Sequence, residues 1–440
     1  MFRTFLSCLA FVAFVLPVCA EPTITSTEML IRLTVQPMHA PKPALRYLLL
    51  PDLKEMTPGN PIPNYLRCVL DQDFTADQET ISRSALRQAD RAARMDKPDW
   101  QILLKLKTDG IGLLLPDLQK MRQVAAALQE RFHDEAAQRR FDEALYTART
   151  MFAMSRHMGE HPTLIGDLVA IAIATITIAP LEEMLEQPGC PNLYWALTNL
   201  PDPLISVNKG MEGERVLIRS EFHELDDREP MSQEQIEKLI FHIDNLRKQE
   251  RKFDKKIDGT RAWINARSKD EKSVEAARRR LVEFGIAEER VKRFPADQVA
   301  ILDAYREYEE RRDEDMKFMN LPTWQVEELL RRTKRRMEPS LFADILLPAL
   351  EKVRRAQGRL EQRIALLRHV EAIRLYAAAH EGKLPDKLAD IDVPLPNDPF
   401  TGKPFRYKFE KGTAHLRGTP PRGVENIPAY NLHYEITLRK

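Results

Sequence analysis

The sequence has 440 residues, with 67 basic and 66 acidic side chains, so its net charge is close to zero. This balance gives no electrostatic case for nucleic-acid binding, for which a net basic face is expected, and we predict no nucleic-acid partner. The length suffices for two or three domains. Only 16 glycines and a charged fraction of 30% favour long surface helices over an all-β fold.

Residues 1–20 have the three parts of a secretory signal peptide. Arg3 supplies a positive charge, an apolar run follows it, and Val18 and Ala20 are small residues at the −3 and −1 positions. The run is shorter than the about 20 residues that span a bilayer. We therefore predict cleavage after Ala20 and a protein exported to the periplasm or the extracellular space, with an uncleaved anchor as the alternative.

Cleavage after Ala20 leaves Cys68 and Cys190 as the cysteines of the mature chain. An oxidising compartment allows one disulfide between them, and two buried thiols are the alternative. Because the sequence contains no Cys-x-x-Cys pair, a zinc site built from cysteines is excluded.

The segment after the signal peptide, residues 21–73, is rich in proline. Alternating apolar residues at 29–35 predict a short strand, and the prolines that follow predict an extended arm. We expect a helical body over residues 74–338. A capping box formed by Thr75 and Gln78 predicts where its first helix begins.

Two further helix signals lie inside the predicted body. An apolar stripe starts after Pro116 and continues to about Met158, and a capping box at Ser232 and Gln235 precedes an amphipathic helix. Between them, residues 164–181 form the most apolar stretch. This stretch also contains an aspartate, a glycine and a proline, so we predict a buried central helix and no transmembrane span in the mature chain.

Two clusters of arginine residues lie in the second half of the predicted helical body. Arginine clusters at 278–280 and 331–336 are surrounded by acidic residues, which indicates solvated helix faces.

The last part, residues 339–440, begins with a long helix over about 341–380, followed by a small α+β unit with three short strands. Apolar residues at the coiled-coil spacing of four and three predict that this helix packs against a partner helix. The stripe consists of Leu346, Leu350, Val353, Gln357, Leu360, Ile364 and Leu367.

The segments 383–388 and 396–407 resemble the globular end of type II secretion pseudopilins, in which a long helix ends at Gly-x-x-Pro before an Asp-Pro turn. A pseudopilin carries its hydrophobic helix at its extreme N-terminus. Here the corresponding helix is internal, so we do not expect a fibre subunit. In some pseudopilins a nearby loop binds calcium, which would involve Asp390, Asp392 and Asp398, and turn capping by these aspartates is the alternative.

A second resemblance covers most of the chain. The segments 43–51, 58–60, 191–197 and 321–324 are similar to an exported protein family abundant in planctomycete bacteria. Members are large helical proteins that end in the same Asp-Pro-Phe-Thr-Gly-Lys-Pro turn. The resemblance implies export and a helical architecture, and it supplies no catalytic residues.

The candidate catalytic pattern is His157-Met-Gly-Glu160-His161, which fits H-x-x-E-H. In that chemistry two histidines on one helical face bind zinc, the glutamate is the base, and a distant acid such as Glu234 or Glu237 completes the site. The proline that follows His161 and the glycine inside the motif disfavour the helical geometry that it needs.

The sequence contains no nucleophile elbow, P-loop or dinucleotide-binding glycine motif. We therefore expect a mainly α protein, with long antiparallel or coiled-coil-like helices and a small pseudopilin-like C-terminal unit. The expected function is that of a non-enzymatic scaffold or binding protein of the cell envelope, with a protein partner and no cofactor. The alternative is a secreted zinc-dependent hydrolase that uses Glu160 with His157 and His161.

Overall fold

The computed structural model describes residues 23–25, 27–70, 72–75, 78–225, 227–249, 259–334 and 339–439. Within these residues the chain is mainly α-helical, as predicted, and a small β-sheet combines strands from both ends of the sequence. The predicted signal peptide lies outside the described residues, so its cleavage stays a prediction.

Helices form most of the described part of the chain, and the strands are short. The helices are α1 (Ile62–Leu70), α2 (Arg83–Ala92), α3 (Leu103–Asp109), α4 (Pro116–Ala137), α5 (Phe141–Met158), α6 (Leu164–Glu186), α7 (Tyr194–Thr198), α8 (Asn208–Glu221), α9 (Gln233–Gln249), α10 (Thr260–Ser268), α11 (Glu271–Glu283), α12 (Glu288–Arg293), α13 (Ala296–Met316), α14 (Thr323–Lys334), α15 (Ala343–Leu346) and α16 (Pro348–Ala379). The strands are β1 (Thr23–Thr25), β2 (Glu28–Val35), β3 (Gln72–Thr75), β4 (Gln78–Ile81), β5 (Arg406–Glu410), β6 (Thr413–Arg417) and β7 (Leu432–Leu438).

Local signals account for some of the helix starts. The capping box at Ser232 and Gln235 is formed, with the Ser232 hydroxyl accepting from the Gln235 amide at 3.3 Å and the Gln235 side chain accepting from the Ser232 amide at 2.7 Å. The capping box predicted at Thr75 is wrong. Strands β3 and β4 pair there as an antiparallel hairpin, and the next helix begins only after Ser82, whose hydroxyl accepts from the Ala85 amide.

The apolar stretch at 164–181 forms α6, which lies at the centre of the helical body. It packs against α4, α5 and α16, and most of its side chains are buried. Among the described residues, α6 is the helix whose length and composition would also suit a membrane span. In this structure neighbouring helices cover the apolar surface of α6, as expected for the core helix of a helical domain.

The predicted apolar stripe of the last long helix lies in α15 and α16. Leu350, Val353, Gln357, Leu360 and Leu367 are buried, and α16 packs against α6 and α7 of the same chain. Packing inside this chain therefore covers the stripe, and a coiled coil with a separate helix stays a prediction.

Strand β2 and strand β7 pair in parallel at the centre of a five-stranded sheet with the order β1-β2-β7-β6-β5. The prediction that residues 21–73 form an extended arm is therefore wrong in part. Its strand is an inner strand of the sheet, residues 62–70 form α1, and β3 begins at Gln72. Side chains of β2 alternate between the core and the solvent, since Leu33 and Val35 are buried whereas Arg32 and Thr34 are exposed. This alternation is typical of a sheet that packs on a core with one face.

The turn before β5 forms as its residues predict. Asp398 is buried and its carboxylate accepts from the amides of Phe400 and Thr419 and from the Gln362 side chain, at 3.0, 2.7 and 3.0 Å. Gly402 has a φ of 65°, a backbone conformation that glycine adopts without strain. Asp398 is thus a turn cap that binds three protein donors.

The guanidinium of Arg374, on α16, links three distant parts of the chain. Its side chain and that of Glu371 are both 0% exposed, with 2.9 Å between their nearest charged atoms. The same guanidinium donates to the carbonyl oxygens of Gln36, Cys190 and Pro191, at 3.0, 2.7 and 3.3 Å. Arg374 therefore joins the end of β2, the loop before α7 and the longest helix of the chain.

Replacing Arg374 should strongly destabilise the protein. Arg374→Ala removes the cation that pairs with the buried Glu371 carboxylate and the guanidinium that donates to three carbonyl groups, so the free energy of unfolding should fall by about 3–5 kcal/mol. Arg374→Lys should lose less, because an ammonium keeps the charge but cannot reach all three carbonyls. Urea unfolding measures both values.

Arg279→Ala, at an exposed helix position, is the control and should change stability by less than about 0.5 kcal/mol. An Arg374→Ala variant as stable as that control would contradict this role.

Candidate functional site

The two histidines of the H-x-x-E-H pattern do not share a helix. Helix α5 ends at Met158, so His157 lies in its last turn and His161 lies beyond it. The Tyr65 hydroxyl and Nδ1 of His157 are 3.0 Å apart, and Nδ1 of His161 lies 2.8 Å from the Thr163 hydroxyl. Each ring is thus hydrogen-bonded to a different element. Burial lowers the pKa of His157 to about 4 and that of His161 to about 3, so both rings are neutral at pH 7.

The acids proposed for the same site form ion pairs with neighbouring cations. Within the described part of the chain, none of them joins the two histidines as a group of three converging metal ligands. The pairs are Glu160 with Lys209, Glu234 with Lys238, and Glu237 with Arg261. The structure therefore does not assemble the ligand set that a zinc hydrolase at residues 157–161 requires.

Cys68 and Cys190 are both buried, and neither forms a disulfide. Of the two alternatives left open by the sequence, the structure shows the two buried thiols. The Cys68 thiol contacts the carbonyl oxygen of Ala85 at 3.3 Å, and Cys190 lies in the loop before α7. Burial raises the pKa of the Cys190 thiol to about 12, so it is a poor nucleophile and a poor metal ligand at neutral pH.

A buried carboxyl group lies close to the H-x-x-E-H segment. Asp167, in the first turn of α6, is 0% exposed and neither of its oxygens has a hydrogen-bond partner. Helix α8 approaches so closely that a Cβ added to Gly210 would lie 2.0 Å from Oδ2 of Asp167. Burial, together with the nearby Glu160 and Glu214, holds the pKa of Asp167 well above its usual range. The group is therefore a neutral carboxylic acid between two packed helices.

The protonation of Asp167 makes stability depend on pH. The folded chain keeps a proton that the unfolded chain releases above the ordinary aspartate pKa of about 3.9, so this contribution is lost as the pH rises. Relative to Asp167→Asn, the wild-type free energy of unfolding should fall by up to about 1.4 kcal/mol per pH unit, from the ordinary aspartate pKa upward until the raised pKa of the folded state is reached. Urea unfolding at several pH values checks this. Asp386→Asn, at an exposed aspartate, should run parallel to the wild type, and a parallel Asp167→Asn curve would refute the assignment.

A second histidine group lies on the outer face of the sheet, where its members are buried or partly buried. His415 of β6 is opposite Glu435 of β7, and His433 lies two residues before Glu435 on the same face of β7. Nδ1 of His415 is 3.1 Å from Nε2 of His433 and 3.7 Å from Oε1 of Glu435. We call these three residues the sheet cluster. Its ligand atoms all lie within 4.8 Å of one another, and within the described residues it is the group that converges in this way.

Two ion pairs surround the sheet cluster. Glu28 of β2 places a carboxylate oxygen 3.2 Å from Nδ1 of His433, and Arg417 lies 3.7 Å from the other oxygen of Glu28. Arg32 donates to Oε2 of Glu435 at 3.1 Å. Each carboxylate therefore has one oxygen toward an arginine and one toward a histidine.

Sequence reasoning missed the sheet cluster because its members come from separate strands. The one local signal is His433-Tyr434-Glu435, since residues two apart on a strand point to the same side. The partner His415 depends on the pairing register of β6 and β7, which no local pattern specifies.

No protein-family profile, curated protein or solved structure matches this chain.

Proposed function

We propose that the chain is an exported, helix-rich binding protein of the cell envelope that holds a protein partner on its surface rather than catalysing a reaction. The observation that carries this proposal is a group of exposed leucines around α3. Leu103, Leu104 and Leu114 are 65%, 74% and 69% exposed. Single exposed apolar residues are ordinary, but several on one short segment are typical of a protein-binding surface.

The segment between these leucines is anchored to the helical body. Leu106, Leu113 and Leu217 form a small buried cluster, and Ile102 and Leu115 pack against it. The residues directly beside the exposed leucines therefore have a fixed place on the body. A rigidly held apolar group loses little conformational entropy when a partner covers it, which favours binding.

The charged helices support the same proposal and argue against a nucleic-acid partner. Among the arginines of the predicted basic clusters, Arg280 binds Asp303 through two hydrogen bonds, and Arg331 and Arg332 both bind Glu328. Arg280 is neutralised by Asp303, and Arg331 and Arg332 share the carboxylate of Glu328, so acids of this chain already occupy guanidinium donors that phosphates would need.

Site-specific photocrosslinking tests the partner surface. A benzoylphenylalanine at Leu104 should give one discrete adduct in the envelope fraction of cells that make the protein, because the partner would cover this side chain. Excess unlabelled wild-type protein should abolish the adduct, whereas an excess of the Leu104→Ser variant should not.

The matched control is benzoylphenylalanine at Leu53, another leucine that is 86% exposed but lies outside the α3 segment. It should give no adduct of the same mass. The same adduct from both positions, or no adduct from Leu104, would contradict a binding surface at α3.

A further inference from the structure

The sheet cluster has the spacing of a metal site. Ligand atoms about 2.0–2.1 Å from a tetrahedral zinc ion lie about 3.3 Å from one another. The distances from Nδ1 of His415 to the other two ligand atoms are 3.1 and 3.7 Å, on either side of that value. An ion could therefore enter with small side-chain rotations and no movement of the strands.

We propose that His415, His433 and Glu435 bind one transition-metal dication, with zinc as the best-suited ion. Two imidazole nitrogens and one carboxylate oxygen form a ligand set typical of zinc. Calcium and magnesium prefer six or more oxygen ligands, or several retained waters, and this group offers a single carboxylate. The site is independent of the α3 surface and goes beyond the proposed function.

Glu28 prepares His433 for this role. Its carboxylate lies 3.2 Å from Nδ1 of His433, so that nitrogen carries the proton and donates to Glu28. Nε2 of His433 is then the nitrogen with the lone pair, and it is the one that faces His415. A carboxylate on the outer nitrogen of a ligating histidine is the usual way in which proteins fix its tautomer and orientation.

The two arginines leave the ligand atoms accessible. Arg32 binds Oε2 of Glu435, so Oε1 is the oxygen that faces His415. Arg417 pairs with Glu28 rather than with a ligand. Two guanidiniums balance two carboxylates, so the charges around the site sum to zero before the ion binds.

The site has room for a fourth ligand. The side chain of His433 is 5% exposed and forms the floor of the cluster, whereas those of His415 and Glu435 are 19% and 25% exposed. Because two of the three protein ligands reach the surface, one tetrahedral position is left for water or for a group from outside the chain. The strands on which the three ligands lie are hydrogen-bonded neighbours, which fixes their spacing.

Metal titration of the mature protein tests the site. Protein purified without a polyhistidine tag and stripped with a chelator should bind one Zn²⁺ per chain by calorimetry. Co²⁺ should give the intense visible absorption of a low-coordinate site. His415→Ala and Glu435→Gln should each weaken Zn²⁺ binding about tenfold or more, and Glu28→Gln, which removes only the positioning carboxylate, should weaken it about 10–100-fold.

His39→Ala is the matched control, because His39 is an exposed histidine outside the sheet cluster, and it should leave the affinity unchanged. Circular dichroism confirms that each variant is folded, and Glu435→Gln keeps the side-chain shape if His415→Ala does not fold. Absence of a stoichiometric Zn²⁺ site, or equal affinity in wild type, His415→Ala and Glu435→Gln, would overturn the proposal.

Discussion

The buried guanidinium of Arg374 is the interaction on which the rest of the structure depends. A charged group removed from water is stable only when an opposite charge and further acceptors surround it, and Arg374 has Glu371 and three backbone carbonyls. Those carbonyls belong to the end of β2 and to the loop before α7. The guanidinium therefore holds β2, this loop and α16 together in the folded chain.

This linkage explains why a mainly helical chain carries a sheet made from both of its ends. Once the end of β2 is held at α16, β2 lies beside β7 and the two strands pair in parallel over seven residue pairs. The inner face of the sheet then packs on the helical core, where Tyr434 donates to Glu182 of α6. The outer face carries the sheet cluster, whose ligands depend on β6 and β7 being in register. The geometry of the candidate metal site therefore depends on the sheet, and the position of the sheet depends on Arg374.

The features that the sequence predicted correctly are those encoded within a few residues. The capping box at Ser232, the turn at Asp398 and the buried apolar helix after Thr163 each depend on neighbours in sequence. The features that it missed depend on residues far apart. The parallel partner of β2 lies about 400 positions away, and the ligands of the sheet cluster come from separate strands. The H-x-x-E-H pattern belongs with the local features. The proline after His161 and the glycine inside the motif disfavour the helix that a zinc site needs, and α5 does end before His161.

Hydrogen exchange of the wild-type protein and of Arg374→Ala most directly tests whether the two ends of the chain fold as one unit with α16. Peptides covering β2, β7 and α16 should open with a common free energy in the wild type. All three should lose protection together in the variant, because the arginine couples them. A wild-type protein in which the β7 peptides exchange rapidly while α16 stays protected would contradict this coupling, since it would show that the sheet is an independent unit.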